Sequence, residues 1–283
     1  MSSETRPRIL MCRPDYFEVS YTINPWMDPN AWQAESGQLA AQSRSQWEGL
    51  YRNITGLGVT VDLHTPRPGV PDMVFTANAA VVLDRKALLA RFLDPERQAE
   101  EVFHQDVLEN LVAEGVMDEV STLPQGMFQE GAGDCLWDGS RDLFWAGYGQ
   151  RSRREAYAYV ASFFDRKVVT LELVDSRYYH VDTCLAVLNS GHIVYYPPAF
   201  SGDSIERLRT EVGGDQWLIA AGEEDASRLG VNLVNIGTKV VMAVCSPMLE
   251  RNLNNAGFEV IRSPLPAFGM SGGAAACLTL RLH

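Results

Sequence analysis

Residues 143–173 read LFWAGYGQRSRREAYAYVASFFDRKVVTLEL, and this stretch decides the fold class. Residues 143–146 and 168–173 are short apolar runs bounded by polar residues, which is typical of buried strands. The segment between them, 154–164, is long enough for a helix and is rich in apolar side chains. A strand, a helix and a second strand in this order predict the β-α-β unit of an α/β protein.

The same alternation of strands and amphipathic helices recurs along the whole chain. Further strands are predicted at 8–12, 59–63, 79–83, 184–188, 192–196, 231–236, 240–244 and 258–261, and further helices at 37–54, 98–114, 204–212 and 247–254. The repeat is loose, at about 50 to 60 residues, as expected if strand–helix–strand units are arranged radially. The pattern alone predicts an α/β fold with mixed strands.

Composition favours one domain that binds a cationic ligand. The chain has 283 residues, 46% of them hydrophobic, and no linker-like segment divides it, so we expect a single domain over 1–283. With 24 basic and 36 acidic residues the net charge is −12. A field of that sign repels phosphate, so neither nucleic acid nor an anionic membrane is an expected partner.

The cysteines and the apolar segments indicate the compartment. The apolar run at 9–11 is far too short for a signal-peptide core, and no window approaches the roughly 20 apolar residues of a membrane helix. The five cysteines (12, 135, 184, 245 and 277) are odd in number, scattered, and without a C-x-x-C pair. This argues against a disulfide framework or a zinc site. We expect a cytoplasmic protein that uses no metal and no cofactor.

Residues 269–280, GMSGGAAACLTL, lead a thiol through a run of small residues onto what we expect to be the last strand. Small residues let substrate and backbone approach closely, and their N–H groups can face developing charge. Cys277 is therefore a candidate nucleophile, although a buried structural cysteine is the alternative. The G-x-S-x-G pattern at 269–273 matches the nucleophile elbow of serine hydrolases, but a serine esterase also needs an acidic residue and then a histidine downstream. No acidic residue and only the terminal His283 follow the pattern, so this alternative is disfavoured.

A histidine and several carboxylates lie in two polar segments. His180 and Asp182 lie in RYYHVDTC (177–184), and both point to one face if this segment enters a strand. A thiolate needs a proton donor for its leaving group, a role that imidazole suits. Glu130 and Asp134 lie in EGAGD (130–134), within an otherwise apolar stretch. A core histidine and a glycine-rich turn capped by acids are the structural alternatives.

Together with PDMVFTAN at 71–78, these segments resemble the guanidine-modifying superfamily. Its members include arginine deiminase, dimethylarginine dimethylaminohydrolase, glycine amidinotransferase and the cyanobacterial arginine dihydrolases. The matching motifs are Phe-Thr-x-Asp/Asn at 75–78, Glu-Gly-x-Gly-Asp at 130–134, His-x-Asp at 180–182 and the loop that ends in Cys277. Four motifs in the family's order single out His180 from His64 and His104. The resemblance implies a five-bladed α/β propeller (pentein) of repeated ββαβ-type units around a central active site.

The resemblance also implies a mechanism, with Cys277 as nucleophile, His180 as acid/base and Glu130 as its carboxylate partner. Glu130 and Asp182 would hold a cationic guanidinium, and this cation would favour the thiolate. The thiolate adds to the guanidino carbon, His180 protonates the departing ammonia or amine, and water hydrolyses the covalent thiouronium. The resemblance further implies substrate contacts from Asn24, Asn78, Arg97, Asp134 and Arg151, with the two arginines on the α-carboxylate.

Residues 11–17 (MCRPDYF) and 21–27 (YTINPWM) look most like the arginine dihydrolase branch, which takes arginine to ornithine with release of ammonia and carbon dioxide. Asn78 stands where deiminases carry aspartate. An amide donates as well as accepts, so Asn78 would suit the ureido oxygen of neutral citrulline and permit a second hydrolysis. Dimethylarginine dimethylaminohydrolase, an amidinotransferase and a non-catalytic guanidine-binding protein stay open as alternatives, and so does a homo-oligomer.

Overall fold

The computed structural model describes residues 6–283, which form five three-stranded sheets. The strands are β1 (Arg8–Cys12), β2 (Thr60–His64), β3 (Ala80–Leu83), β4 (Lys86–Leu89), β5 (Glu119–Thr122), β6 (Cys135–Asp138), β7 (Leu143–Tyr148), β8 (Lys167–Glu172), β9 (Leu185–Val187), β10 (Ile193–Tyr195), β11 (Leu218–Ala220), β12 (Val234–Ile236), β13 (Lys239–Met242), β14 (Glu259–Arg262) and β15 (Leu280–Arg281). The helices are α1 (Pro29–Ala34), α2 (Ser36–Gly56), α3 (Pro95–Gln98), α4 (Glu100–Ala113), α5 (Ala156–Phe164), α6 (Gly202–Val212), α7 (Glu223–Ala226), α8 (Pro247–Asn255) and α9 (Pro266–Gly269).

All five sheets have the same topology. Their strand orders are β3-β4-β5, β6-β7-β8, β9-β10-β11, β12-β13-β14 and β15-β1-β2. In each sheet the middle strand is antiparallel to the first strand and parallel to the third, and a helical segment connects the middle strand to the third. The chain therefore folds as five ββαβ units, as the resemblance implied. The fifth unit is assembled from opposite ends of the described chain, because β15 pairs with β1.

The stretch at 143–173 folds as predicted, with β7 parallel to β8 and α5 between them. The predicted helices and most predicted strands are present, with bounds that differ by a few residues. The hydrophobic pattern did not predict β4, β5, β6 and β11. β5, with the sequence EVST, shows why: it is short, mostly polar and only partly buried, so pairing with β4 rather than local hydrophobicity makes it a strand.

Two sequence predictions about strands are wrong, and in both cases the structure has non-strand residues immediately before a strand. Residues 231–233 are not in a strand, since β12 begins only at Val234. Cys277 does not lie on the last strand; it lies in a turn that ends before Leu280, the first residue of β15. His180 and Asp182 themselves precede β9 rather than lie in it, so the condition that both point to one face of a strand is not met. This segment forms a 3₁₀ turn at Val181–Thr183, closed by the Thr183 hydroxyl, which donates to the carbonyl of His180 at 2.6 Å.

Helix packing supports the loop that contains Cys277. The apolar side chains of α2 fall at helical spacing and are buried together: Leu39, Trp47, Leu50 and Ile54. They belong to a core cluster that also contains Phe75, Phe268 and Cys277. The thiol thus stands on a well-packed core. No helix within residues 6–283 is both long and apolar enough to cross a membrane.

Candidate active site

The turn that precedes the first strand of each unit carries a candidate site residue. In chain order these residues are Asn78, Glu130, His180 with Asp182, Asn232 and Cys277. A hydrogen bond joins each turn to the next: Asn78 Nδ2 to Glu130 O (3.2 Å), Val181 N to Asp134 Oδ1 (2.9 Å), Asn232 Nδ2 to Asp182 O (3.0 Å), Ala276 N to Asn232 O (3.4 Å) and Ala77 N to Cys277 O (3.1 Å). The five turns therefore form a closed ring around the centre of the molecule.

Two glycines of the motifs make this close approach of turns possible. Gly131 has φ +66°, and a Cβ there would lie 2.6 Å from the carbonyl oxygen of Ala77 in the neighbouring turn. A Cβ on Gly273 would overlap the ring of Phe75. Larger residues would push the turns apart, so these positions need glycine for space and, at Gly131, for backbone conformation.

Glu130 is the most strongly paired carboxylate of the ring. Its Oε2 accepts from His180 Nε2 at 2.7 Å and from Arg151 Nη1 at 3.2 Å, while Oε1 accepts from the amide of Leu93 at 3.1 Å. Burial raises the pKa of Glu130, but Arg151 and the hydrogen bond from His180 outweigh burial and hold the pKa at about 2. Glu130 is therefore an anion that orients the imidazole.

Asn78 is held in one amide orientation. Its Oδ1 accepts from Arg97 Nη1 at 2.9 Å, and since guanidinium is donor-only, Nδ2 must be the end that faces His180 Nδ1 at 3.4 Å. Arg97 is itself clamped by Glu100 through two hydrogen bonds of 2.9 and 2.8 Å. The donor end of Asn78 thus faces the site, backed by a buried ion pair.

Cys277 and Asp182 form the opposite side of the ring. The thiol Sγ lies 3.3 Å from Asp182 Oδ2, and within residues 6–283 the buried Oδ1 of Asp182 has no hydrogen-bond partner. Burial raises the pKa of Asp182 to about 7, and burial together with Asp182 raises the pKa of Cys277 well above its ordinary value. This side therefore has a carboxylate and a thiol that lack the neighbouring cation that Glu130 has.

The remaining predicted residues lie at or beside the ring. Arg151 Nε pairs with Asp94 at 3.0 Å, and its Nη2 donates to the carbonyl of Ile23 at 3.0 Å. Asn24 Nδ2 donates to the carbonyl of Ser271 at 3.1 Å, which ties the segment near residue 24 to the Cys277 loop. Both groups therefore hold the 21–27 segment against the site.

Asp134 has both oxygens engaged, from Ser152 Oγ at 2.6 Å and from the amide of Val181 at 2.9 Å. Burial raises its pKa to about 6. The geometry favours a carboxylate that braces the His180 turn, and substrate binding by Asp134 stays a prediction.

Asp72 and Asn232 were assigned no role from the sequence, yet both make hydrogen bonds that hold the site together. Asp72 accepts from Tyr21 Oη at 2.9 Å and Ser271 Oγ at 3.1 Å, joining three segments of the site. Asn232 contacts Cys277 directly, with Nδ2 3.1 Å from Sγ. Its position could have been found from the repeat, because it precedes the first strand of its unit as Asn78 precedes β3.

The ring is fully enclosed, with exposed fractions of 2% for Cys277, 1% for His180, 0% for Glu130 and 2% for Asp182. Enclosure excludes water and strengthens the charge interactions inside. Among residues 6–283 no group of three or more His, Cys, Asp or Glu side chains is arranged to hold a metal ion. The groups present suit covalent attack on a cationic carbon centre, with the thiol as nucleophile.

Comparison with known proteins defines the class. The family model described as eukaryotic N,N dimethylarginine dimethylhydrolase matches residues 13–283. In a substrate-bound crystal structure, the N-terminal domain of ArgZ, an arginine dihydrolase of cyanobacteria, has a TM-score of 0.90 to this chain at 39% identity and 98% coverage of both chains. The five-bladed α/β propeller is therefore confirmed, and the chain belongs to the dimethylarginine dimethylhydrolase family of hydrolases.

Curated relatives fall in two branches of that family. The chain is 41% identical over 98% of its length to the bifunctional arginine dihydrolase/ornithine cyclodeaminase AgrE of Nostoc, and 42% identical over 97% to ArgZ of Synechocystis. It spans only 38% and 37% of those two proteins. It is also 39% identical over 98% of its length to the N(G),N(G)-dimethylarginine dimethylaminohydrolase of Mycobacterium tuberculosis, and spans 86% of that protein.

Proposed function

We propose that this protein hydrolyses the guanidino group of arginine and continues through citrulline to ornithine. The observation that carries the proposal is the uncompensated side of the ring, where a carboxylate oxygen without a partner lies beside the nucleophilic thiol. A guanidinium is planar, cationic and donor-only, so it satisfies Asp182 and neutralises the anionic field around Cys277. Arginine binding would thereby lower the pKa of the thiol and generate the thiolate at the reacting carbon.

The first hydrolysis then runs through a covalent intermediate. The Sγ electron pair forms a bond to the guanidino carbon, and the C=N π electrons move to nitrogen. That electron pair then re-forms the C=N bond as one terminal C–N bond breaks with its own electron pair. His180, which accepted the thiol proton, delivers this proton to the leaving nitrogen, so that ammonia leaves. Water, deprotonated by His180, attacks the thiouronium carbon, and the C–S bond breaks to give citrulline and the thiolate. Glu130 stabilises the charged imidazole in both steps.

The second hydrolysis depends on Asn78. Citrulline is neutral and presents a ureido oxygen, which needs a donor. The Arg97 guanidinium keeps the acceptor end of Asn78 turned away, so that the N–H end faces the site. Attack by Cys277 on the ureido carbon expels a second ammonia, and water then releases a carbamate that decomposes to ornithine and carbon dioxide.

A second candidate is dimethylarginine hydrolysis, giving citrulline and dimethylamine. It is supported by the mycobacterial relative, which this chain covers over most of its length, whereas the dihydrolase relatives carry a long additional portion. The same ring would serve it, with dimethylamine as the leaving group.

The deciding experiment is a product time course by mass spectrometry with arginine, citrulline or dimethylarginine as the sole substrate. The proposal expects ammonia and ornithine from arginine, with citrulline as a transient. Accumulation of citrulline as the end product would make the protein a deiminase. Release of dimethylamine from dimethylarginine without turnover of arginine would establish the second candidate. A requirement for an amine acceptor would indicate an amidinotransferase.

A further inference from the structure

The Asn232 side chain makes four hydrogen bonds that define its amide orientation. Oδ1 accepts from the backbone N–H groups of Ala274 (3.1 Å) and Cys277 (3.2 Å). Nδ2 faces two acceptors, the carbonyl of Asp182 at 3.0 Å and the sulfur of Cys277 at 3.1 Å. A flipped amide would set its oxygen against the carbonyl of Asp182 and its NH₂ against two N–H groups, so only this orientation satisfies all partners.

The sulfur needs such donors because burial and a neighbouring anion oppose its ionisation. Cys277 is buried on an apolar core, and the carboxylate of Asp182 lies beside it. Burial and Asp182 both raise the pKa of the thiol, whereas the backbone N–H of Ala274 and the hydrogen bond from Asn232 lower it. Within the described residues, Asn232 is the side chain whose N–H donates to the sulfur.

The repeat adds an independent argument. In each of the other four units the turn before the first strand supplies Asn78, Glu130, the His180–Asp182 pair or Cys277. Asn232 is the corresponding residue of the β12-β13-β14 unit and is 0% exposed. Its neighbour Asn235 lies on β12 and bonds instead to the carbonyls of Gly237 and Lys239. The structure thus separates one asparagine of this segment from the other by position in the ring.

We propose that Asn232 is a catalytic residue, whose amide N–H stabilises the Cys277 thiolate before attack and again when the thiolate leaves the intermediate. The proposal rests on the proposed function for its catalytic part. When a guanidinium binds Asp182, the thiol loses its carboxylate acceptor, and the bond from Asn232 becomes a charge-assisted bond to the sulfur anion. The hydrogen bond from Asn232 is weaker while the sulfur is bonded to carbon, because the sulfur is then no longer an anion. The donor therefore stabilises the thiolate states more than the covalent adduct. The Asn232 N–H also acts on the departing sulfur when water hydrolyses the thiouronium.

The test measures the thiol directly, without substrate. Iodoacetamide alkylation of Cys277 is followed against pH by quantifying the Cys277 peptide by mass spectrometry. Cys245, the one cysteine of residues 6–283 that is not buried, is removed by Cys245→Ser in every protein compared. Asn232→Ala removes the donor. Asn232→Asp replaces the donor by an acceptor and keeps both bonds to the loop amides. Asn235→Ala is the matched control in the same segment.

We expect both Asn232 variants to move the alkylation profile to higher pH, with alkylation roughly tenfold slower at a fixed pH below the thiol pKa. Turnover of arginine should fall by about 10²–10³, with a much smaller change in KM, because a lost donor to a developing or departing anion acts mainly on kcat. Asn235→Ala should leave both measurements unchanged. Circular dichroism shows which of the two Asn232 variants fold, and one folded Asn232 variant is sufficient for the test.

An alkylation profile for a folded Asn232 variant that overlays that of the parent overturns the proposal, whatever happens to turnover. A shifted profile in a protein that does not act on arginine supports the role of Asn232 in thiol ionisation and rejects only the proposed function. The two failures are therefore distinguishable.

Discussion

Glu130 and Asp182 are carboxylates in neighbouring turns of one ring, and they lie in opposite electrostatic environments. Both are almost completely buried, at 0% and 2% exposure. The pKa of Glu130 is held at about 2, because Arg151 and His180 outweigh its desolvation. The pKa of Asp182 is raised to about 7, because burial dominates and its oxygens face a thiol and no cation.

This difference supports the proposed position of the substrate's positive charge beside Asp182. A buried anion is stable only when it is paired and hydrogen-bonded, and Glu130 meets that condition within the protein. Asp182 does not meet it until a cation arrives. One side of the ring is therefore preorganised by Arg151 and His180, whereas in the proposed function the substrate guanidinium completes the other side. The thiol is on the second side, so we expect its ionisation to be coupled to substrate binding.

The largest effect is expected from removing the nucleophile. Cys277→Ser should lower turnover of arginine at least ~10⁴-fold, because a serine hydroxyl is scarcely ionised near neutral pH and the loss of a nucleophile removes the covalent route. Ammonia release is the measurement, with Cys245→Ser as the matched control. Substantial ammonia release by the serine variant would rule out the covalent mechanism.

Neutralising the two carboxylates should change stability in opposite directions. Glu130→Gln removes the fully buried anion that pairs with Arg151 and leaves only the partly exposed Asp94, so it should cost about 3–5 kcal/mol at pH 7. Asp182→Asn should stabilise the protein at pH 8. The native pKa of Asp182, about 7, lies above its ordinary value, so ionised Asp182 destabilises the fold at pH above 7.

The stability that protonated Asp182 supports is complete below its ordinary pKa and is lost as pH rises to about 7. The advantage of Asp182→Asn should therefore be large at pH 8 and vanish by pH 4. Thermal unfolding of the two variants and the parent at both values checks this. Destabilisation by Asp182→Asn at pH 8 would contradict the comparison, and both variants should lose activity.

Substitution of Asn78 tests whether its amide donor permits the second hydrolysis. Asn78→Asp retains an acceptor for Arg97 and strengthens the hold on cationic arginine, so the first hydrolysis should survive. It also replaces the donor for citrulline with an anion. The loss should weaken citrulline binding by about 1–3 kcal/mol, or roughly 5- to 150-fold. Citrulline should accumulate where the parent forms ornithine. Equal ornithine yields from the two proteins would show that Asn78 does not set the product.

The smallest effect concerns the α-carboxylate. If Arg97 and Arg151 bind it, agmatine, which lacks this group, should be processed about tenfold less efficiently, mainly through KM, because such contacts exist in ground and transition states alike. Arg151→Lys should reduce the preference for arginine over agmatine, since an ammonium lacks the guanidinium fork. Arg141→Lys, in a partly buried ion pair with Asp138 in another part of the fold, is the matched control. If agmatine and arginine are processed equally well, Arg97 and Arg151 do not bind the α-carboxylate.

Much of this protein follows from its sequence. The alternation of apolar strands and helices is a local property, because hydrophobic periodicity reports which face of each segment is buried. It is sufficient for the α/β class and for the β7-α5-β8 unit. The order of the Asn78, Glu130, His180 and Cys277 motifs was sufficient for the family and for a candidate nucleophile and base.

Only the tertiary structure decided how these groups are used. Glu130 and Arg151 are 21 residues apart in sequence, and Cys277 and Asn232 are 45 apart, so neither pairing is visible in a local pattern. β15 pairs with β1 and so completes the fifth sheet from distant parts of the chain. The paired strand begins only at Leu280, so Cys277 lies in the turn before it. Two acidic residues that look alike in sequence acquire different pKa values, because Coulomb interactions depend on distance in space and on burial, and the chain order determines neither by itself.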